Sequence, residues 1–215
     1  MHGSNILAEV TQWNPKKQHC EGLMPALDNC MKLAGVTPSE LDFIACTSGP
    51  GSFTGIRIGA AAAKGLAHAA NIGIVAVPTL DALAYNAFSA SQPIVPIIDA
   101  RRGQVYTASY KWDGIRLSRT NEYDCVLLTD VLNNLDNTAA NAIFVGDAAI
   151  LSHEQLTTRG HFTAPENQAY VRASAVGALA LTMLEGGCKP LHYNEFTPFY
   201  LRKPQAEREL EEKSN

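Results

Sequence analysis

Apolar residues recur at Leu23, Ala26, Leu27, Cys30 and Ala34, the spacing of one helical face, and predict a helix over residues 18–34. Pro25 must lie in the first turn of that helix or kink it, because proline cannot donate to the backbone ladder. Gly35 suits the position just past the helix end. Ahead of it, Ile6 to Thr11 reads as a short strand, broken by Pro15-Lys16-Lys17. Phe43 to Cys46 has the apolar run of a buried strand and leads into the turn-rich Thr47-Ser48-Gly49-Pro50-Gly51-Ser52. A second helix is predicted from about Phe53 to Ala70. Its Gly55, Gly59 and Ala63, at four-residue spacing, form a flat groove that admits another backbone at short distance.

Gly73 to Val77 is the next strand, and Thr79 caps a helix expected to run to about Ala90. With Ile94 to Ile98 as a further strand, the first hundred residues alternate strands and helices, which favours an α/β sheet. The texture then changes. Gln104 to Trp112, rich in β-branched and aromatic residues, reads as one strand, with Asp113-Gly114 as a hairpin turn. Tyr123 to Leu128 and Ala142 to Val145 are strands, Thr129 caps a short helix, and the Ala/Leu-rich helix of Arg172 to Glu185 stops at Gly186-Gly187. The charged QAERELEEKSN at the end reads as solvated or loosely helical. Two α/β lobes follow: residues 1–98 together with 203–215, and residues 99–202.

Composition narrows the partners. The 215 residues carry 17 Lys and Arg against 21 Asp and Glu, a net charge of −4, which disfavours a stand-alone nucleic-acid binder and leaves room only for a local basic patch. Hydrophobic residues make up 46% of the chain, enough apolar surface to exclude disorder. The five cysteines are scattered with no CxxC pair, as reduced thiols of a cytoplasmic protein would be. The start has no apolar stretch of signal-peptide length, and no run of about 18 apolar residues occurs to span a membrane.

Chemistry is sparse. Gly49, Pro50, Gly51, Ser52, Phe53, Thr54 and Gly55, followed by Arg57, lie between a strand and a helix, where backbone N–H groups can hold an anion. The run satisfies neither standard phosphate pattern: Gly55 is not followed by Lys and Ser or Thr, and the glycine spacing is G-x-G-x-x-x-G. A tight turn with close helix packing is the simpler reading. The six histidines have no spacing that puts two imidazoles on one helical face, and His19 at a helix start reads as a cap or surface residue. At the lobe junction, Asp99 beside Arg101 and Arg102 is either catalytic or, more simply, an Asp–Arg lock on its own turn. No acid/base pair, nucleophile triad or metal set emerges, and neither metal nor cofactor is expected.

SGPGSFTGIRIGAAAAKGLA (Ser48 to Ala67), PTLDALAYNA (Pro78 to Ala87), PIIDARRGQVYTASY (Pro96 to Tyr110) and PFYLRKPQAE (Pro198 to Glu207) together resemble the bacterial TsaB family, also called YeaZ. The resemblance implies a degenerate actin/Hsp70/sugar-kinase-like fold of two lobes. It also implies a role in forming threonylcarbamoyladenosine beside the anticodon of tRNAs that read codons starting with A. In that family TsaB is a non-catalytic scaffold for TsaD, the transferase; the ATPase TsaE joins the pair, and tRNA is met only through the complex. TsaD contact falls to the first two helices, which points here to His19, Leu23, Leu27, Cys30, Met31, Ile56, Gly59, Ala60, Ala63, Lys64 and Ala67. The same surface would serve a homodimer. Family members open with two strands ahead of the segment that Ile6 to Thr11 matches, so a fragment, or a different pairing of Ile6 to Thr11, is expected. The competing reading is an active kinase-like or glycoprotease-like enzyme of the same fold.

Overall fold

A computed structural model describes residues 1–12, 19–88, 90–137 and 141–202. Its first sheet is two parallel strands, β1 (Phe43–Gly49) and β2 (Gly73–Pro78), joined by α2 (Phe53–Ala70), with α1 (His19–Ala34) ahead of them. Alternation along the strands sends side chains to both faces. Ile44, Cys46, Ile74 and Ala76 pack with Ala60, Ala63 and Ala67 of α2, and Phe196 fills the same cluster. On the opposite face Phe43, Ala45, Val75 and Val77 meet α3 (Thr79–Tyr85) and α7 (Ala173–Glu185) through Ala82, Val176 and Ala180. Leu191 closes the outer edge of β2 with two hydrogen bonds to Ile74, each 2.8 Å.

The second sheet is centred on β3 (Ile94–Asp99). It pairs antiparallel with β4 (Gln104–Thr107) and β5 (Tyr110–Trp112), and parallel on its other edge with β8 (Ile143–Val145). The outer strands are β6 (Leu117–Arg119) on β5, β7 (Asp124–Leu127) on β4, and β9 (Phe162–Thr163) on β8. The helices α4 (Leu128–Asp136), α5 (Asp147–Leu151) and α6 (His153–Thr158) complete this half, and Leu132, Ala149 and Leu156 pack on Val95, Ile97 and Phe144.

Several sequence expectations change. The boundary at residues 98/99 falls inside β3, whose pairing is entirely with the second sheet, so the sheets divide before Ile94. Residues 203–215, assigned to the first lobe, lie outside the described residues. The single strand over Gln104–Trp112 is interrupted at Ala108–Ser109, although both pieces keep one antiparallel register against β3, Ile97 facing Thr107 and Ile94 facing Tyr110. At that break Asn121 Oδ1 accepts from Ser109 N, and Thr120 donates both its N–H and its hydroxyl to the Ser109 carbonyl. Pro25 sits inside α1 rather than in its first turn, and Pro78 rather than Thr79 is the N-cap of α3, which ends at Tyr85.

Ile6 to Thr11 forms no strand. Its Glu9 instead caps α7 from far away in the chain. Glu9 Oε1 accepts from the Ser174 N–H and hydroxyl, both at 2.9 Å, and Oε2 accepts from Arg172 Nη2 at 3.1 Å. Burial alone would push the Glu9 carboxyl up, but these bonds outweigh it and hold it below its ordinary range. Losing a helix cap and a charge-assisted bond, Glu9→Ala should cost about 1–2 kcal/mol at pH 7. Because the folded carboxyl titrates below the unfolded one, the wild-type advantage is complete above about pH 5 and lost as pH falls through the folded value. Urea unfolding of both proteins at pH 7 and pH 3 checks this; equal differences at the two pH values refute it.

Candidate functional site between the lobes

The carboxyl ends of β1 and β3 open onto a cleft of about 510 Å3, the place where open α/β sheets hold ligands. Pro50 to Thr54 form one wall; Ile98 to Arg101, Tyr106 and Asp147 form the other. Gly49 sits at the root of the first wall with φ +121, and a Cβ there would run into the Phe199 carbonyl. Only glycine lets the strap of residues 199–202 lie so close to β1. Ser52 is the N-cap of α2, its hydroxyl accepting from Gly55 N at 3.4 Å.

The strap ties the two halves together. Phe199 N donates to the Ser48 carbonyl at 2.7 Å, and Arg202 Nη1 donates to the Ala100 carbonyl at 3.0 Å. Phe199 also meets the Tyr123 ring at 5.8 Å between centroids. Tyr200 stacks against Phe53 at 5.3 Å, and its hydroxyl accepts from Arg57 Nε at 3.1 Å while the Arg57 guanidinium lies over the Phe53 ring.

The carboxylates facing the cleft are occupied. Asp99 Oδ1 accepts from Arg101 N at 2.8 Å and Oδ2 pairs with Arg101 Nη1 at 3.2 Å, which is the Asp–Arg lock. Asp147 Oδ1 accepts from the N–H groups of Asp99 and Ala148, joining β3 to the start of α5. The turn that carries Arg101 and Arg102 is strained. Both have left-handed φ, +67 and +57, and Gly103 follows at +73. Each such non-glycine residue costs about 1 kcal/mol or more.

The helix residues singled out in the sequence divide by burial. Ala60, Ala63 and Ala67 face β1 and are at most 5% exposed, so they belong to this chain's own core and are not available to a partner. Gly59 points the same way, its Cβ direction 4.0 Å from Cys46 Sγ. Burial pushes that thiol up to about 11, as befits a small apolar core group. Ile56 lines the cleft. Leu23, Leu27, Met31 and Lys64 are half-buried, and Cys30 donates its thiol to the Ala8 carbonyl at 3.7 Å. His19 lies in α1, but its side chain is outside the described residues.

The outward row of α2 is instead Ala61, Gly65 and Ala69, all exposed, with Met24 and Leu33 of α1 standing 49% and 67% exposed. Four-residue spacing could not distinguish the rows, because α2 is built of small residues on both sides. Sequence reasoning also left Asp147, Tyr106 and Tyr200 without a role. The one available clue was two adjacent aromatics, Phe199-Tyr200, in a tail with no regular pattern.

Residues 6–210 match the family model described as TsaD: tRNA N6-adenosine threonylcarbamoyltransferase. The chain belongs to that family. Its curated relatives include tRNA threonylcarbamoyladenosine biosynthesis protein TsaB of Bacillus subtilis, 38% identical over 66% of this chain and 61% of that protein. The Escherichia coli TsaB is 31% identical over 54% of this chain and 52% of its own length. The chain thus spans between half and three fifths of these two relatives. Among solved structures, YeaZ from Pseudomonas aeruginosa superposes with a TM-score of 0.74 at 26% identity, over 86% of each chain. These matches put the chain with the TsaB (YeaZ) members, and its α/β architecture is theirs.

Proposed function

We propose that this chain is a non-catalytic scaffold in tRNA threonylcarbamoyladenosine biosynthesis that binds a TsaD-type catalytic subunit, and with it the TsaE ATPase, through the outer face of α1 and α2. The observation that carries the reading is the bare outward row Ala61, Gly65 and Ala69: nothing lies within 4 Å of a Cβ built on Gly65. A neighbouring helix can approach such a row closely, and exposed Met24 and Leu33 add apolar area at about 25 cal/mol per Å2 before association costs. A second copy of the chain on the same face is the homodimeric form. The cleft supports the non-catalytic part, since Asp99 and Asp147 spend their carboxylates on their own backbone and on Arg101.

Two tryptophan variants test the face. Gly65→Trp projects into open space and should keep the wild-type Tm while weakening co-elution with a TsaD-type subunit at least about tenfold, or 1.4 kcal/mol. Gly59→Trp drives into β1 and should lower stability by about 1–3 kcal/mol from overpacking. Gly65→Trp that still co-elutes like wild type defeats the scaffold face.

A further inference from the structure

We propose that the outer corner of the second sheet, where α6 and β9 pack on the start of β8, is an acid-sensitive latch worked by His161. The device is independent of the scaffold reading and uses neither the α1/α2 face nor the cleft. His161 is only 4% exposed. Its Nδ1 accepts from the Ala142 N–H at 3.3 Å, at the residue just ahead of β8. A ring nitrogen that accepts carries no proton, so the neutral ring holds its hydrogen on Nε2. That Nε2 is buried without a hydrogen-bond partner, and the ring stands edge-on to Phe144 at 5.3 Å between centroids.

A second proton has no comfortable place. It must enter on Nδ1, where it meets the Ala142 N–H donor against donor. The nearest carboxylate gives little in return. Asp136 Oδ1 of α4 lies 4.0 Å from Nε2, and Oδ2 is held at 2.7 Å by Arg159 Nη1 on the turn between α6 and β9. The other charged groups of the two helices, Asp130 on α4 and His153 and Glu154 on α6, are exposed, and β8 and β9 carry none. Burial therefore prevails over the attraction of Asp136, with Arg159 adding to it, and holds the imidazole below its ordinary range.

Little else keeps the corner shut. β9 is two residues long and pairs only with β8, and its flanking bonds are Phe162 N to the Ala142 carbonyl at 2.9 Å and Ala164 N to the Phe144 carbonyl at 2.8 Å. Short outer elements of this kind open locally before the rest of a fold. The folded site binds a proton less readily than the unfolded segment does. The closed corner is thus at full strength above the ordinary histidine value of about 6.5 and weakens as pH falls below it. Opening bares Phe144 and Leu156, both fully buried when the corner is closed.

Amide hydrogen exchange, read residue by residue by NMR at pH 7 and pH 5 and corrected for the intrinsic rate at each, tests the latch. In wild type, protection at Phe162 and Ala164 should fall at least about threefold at pH 5, while Val75 and Val77 of β2 keep theirs. His161→Gln supplies an amide oxygen for the Ala142 N–H but takes no proton, so its corner should stay equally protected at both pH values. His153→Gln should respond as wild type does. Equal loss at the corner in wild type and His161→Gln, or no loss in wild type, overturns the proposal. Should His161→Gln not fold, titration of the wild-type His161 ring by NMR decides: a ring that takes its proton at or above the ordinary histidine value overturns the latch as well.

Discussion

Gly146→Ala should destabilise the protein by about 3–5 kcal/mol, enough to unfold much of it at growth temperature. Gly146, between β8 and α5, has φ +124 and ψ 168, a region essentially reserved for glycine. The conformation is only part of the cost. A Cβ there would strike the Ile97 carbonyl of β3 and meet Leu83 Cδ2 at 3.2 Å, both in packed interior. Relief requires β3 and β8 to part, which breaks the Asp147 bond to Asp99 N and the floor of the cleft with it. Gly187→Ala is the control: its φ is +92 but nothing lies near the added carbon, so it should cost only about 1 kcal/mol. Urea unfolding of the two variants separates strain from collision. Equal losses would mean the close approach to Ile97 contributes nothing.

Asp81→Ala is the second large loss, about 3 kcal/mol. Asp81 Oδ1 accepts from two phenols, Tyr110 at 2.6 Å and Tyr123 at 2.7 Å, and so ties α3 to the second sheet. Tyr110 is 1% exposed, so removing its acceptor strands a buried hydroxyl, which costs more than the bond itself was worth. Adding Tyr110→Phe to Asp81→Ala should therefore recover part of the loss, and a double-mutant cycle reads the coupling. The same cluster sets an alkaline limit. Burial first, then the neighbouring Asp81, pushes both phenols above their ordinary range. An acid whose folded pKa is raised contributes stability in full below the unfolded value and loses it as pH rises. The protein should lose stability above about pH 10, and Tyr123→Phe should make that decline shallower. An equally steep decline in Tyr123→Phe would show that Tyr123 does not titrate against folding.

Much of the architecture was readable because the rules that make a helix or a strand act over a few residues. The three-and-four spacing from Leu23 to Ala34 and the apolar run at Phe43 depend only on local sterics and on having one side to bury. Where expectation failed, a distant segment had intervened. Glu9 left a strand-like run to cap α7, and Asn121 and Thr120 took the Ser109 backbone groups where the long strand is interrupted.

The candidate surfaces divide the same way. Sequence by itself determined that α2 would be a helix of small residues behind a glycine-rich turn, and that an Asp–Arg turn would follow β3. Only the tertiary structure decided that Ala60, Ala63 and Ala67 look inward and Ala61, Gly65 and Ala69 outward. It alone brought Tyr200 and Arg202 to the same opening as Arg101. The reason is physical: spacing along a chain states which residues share a face, whereas which face is buried depends on what other parts of the chain are free to cover it.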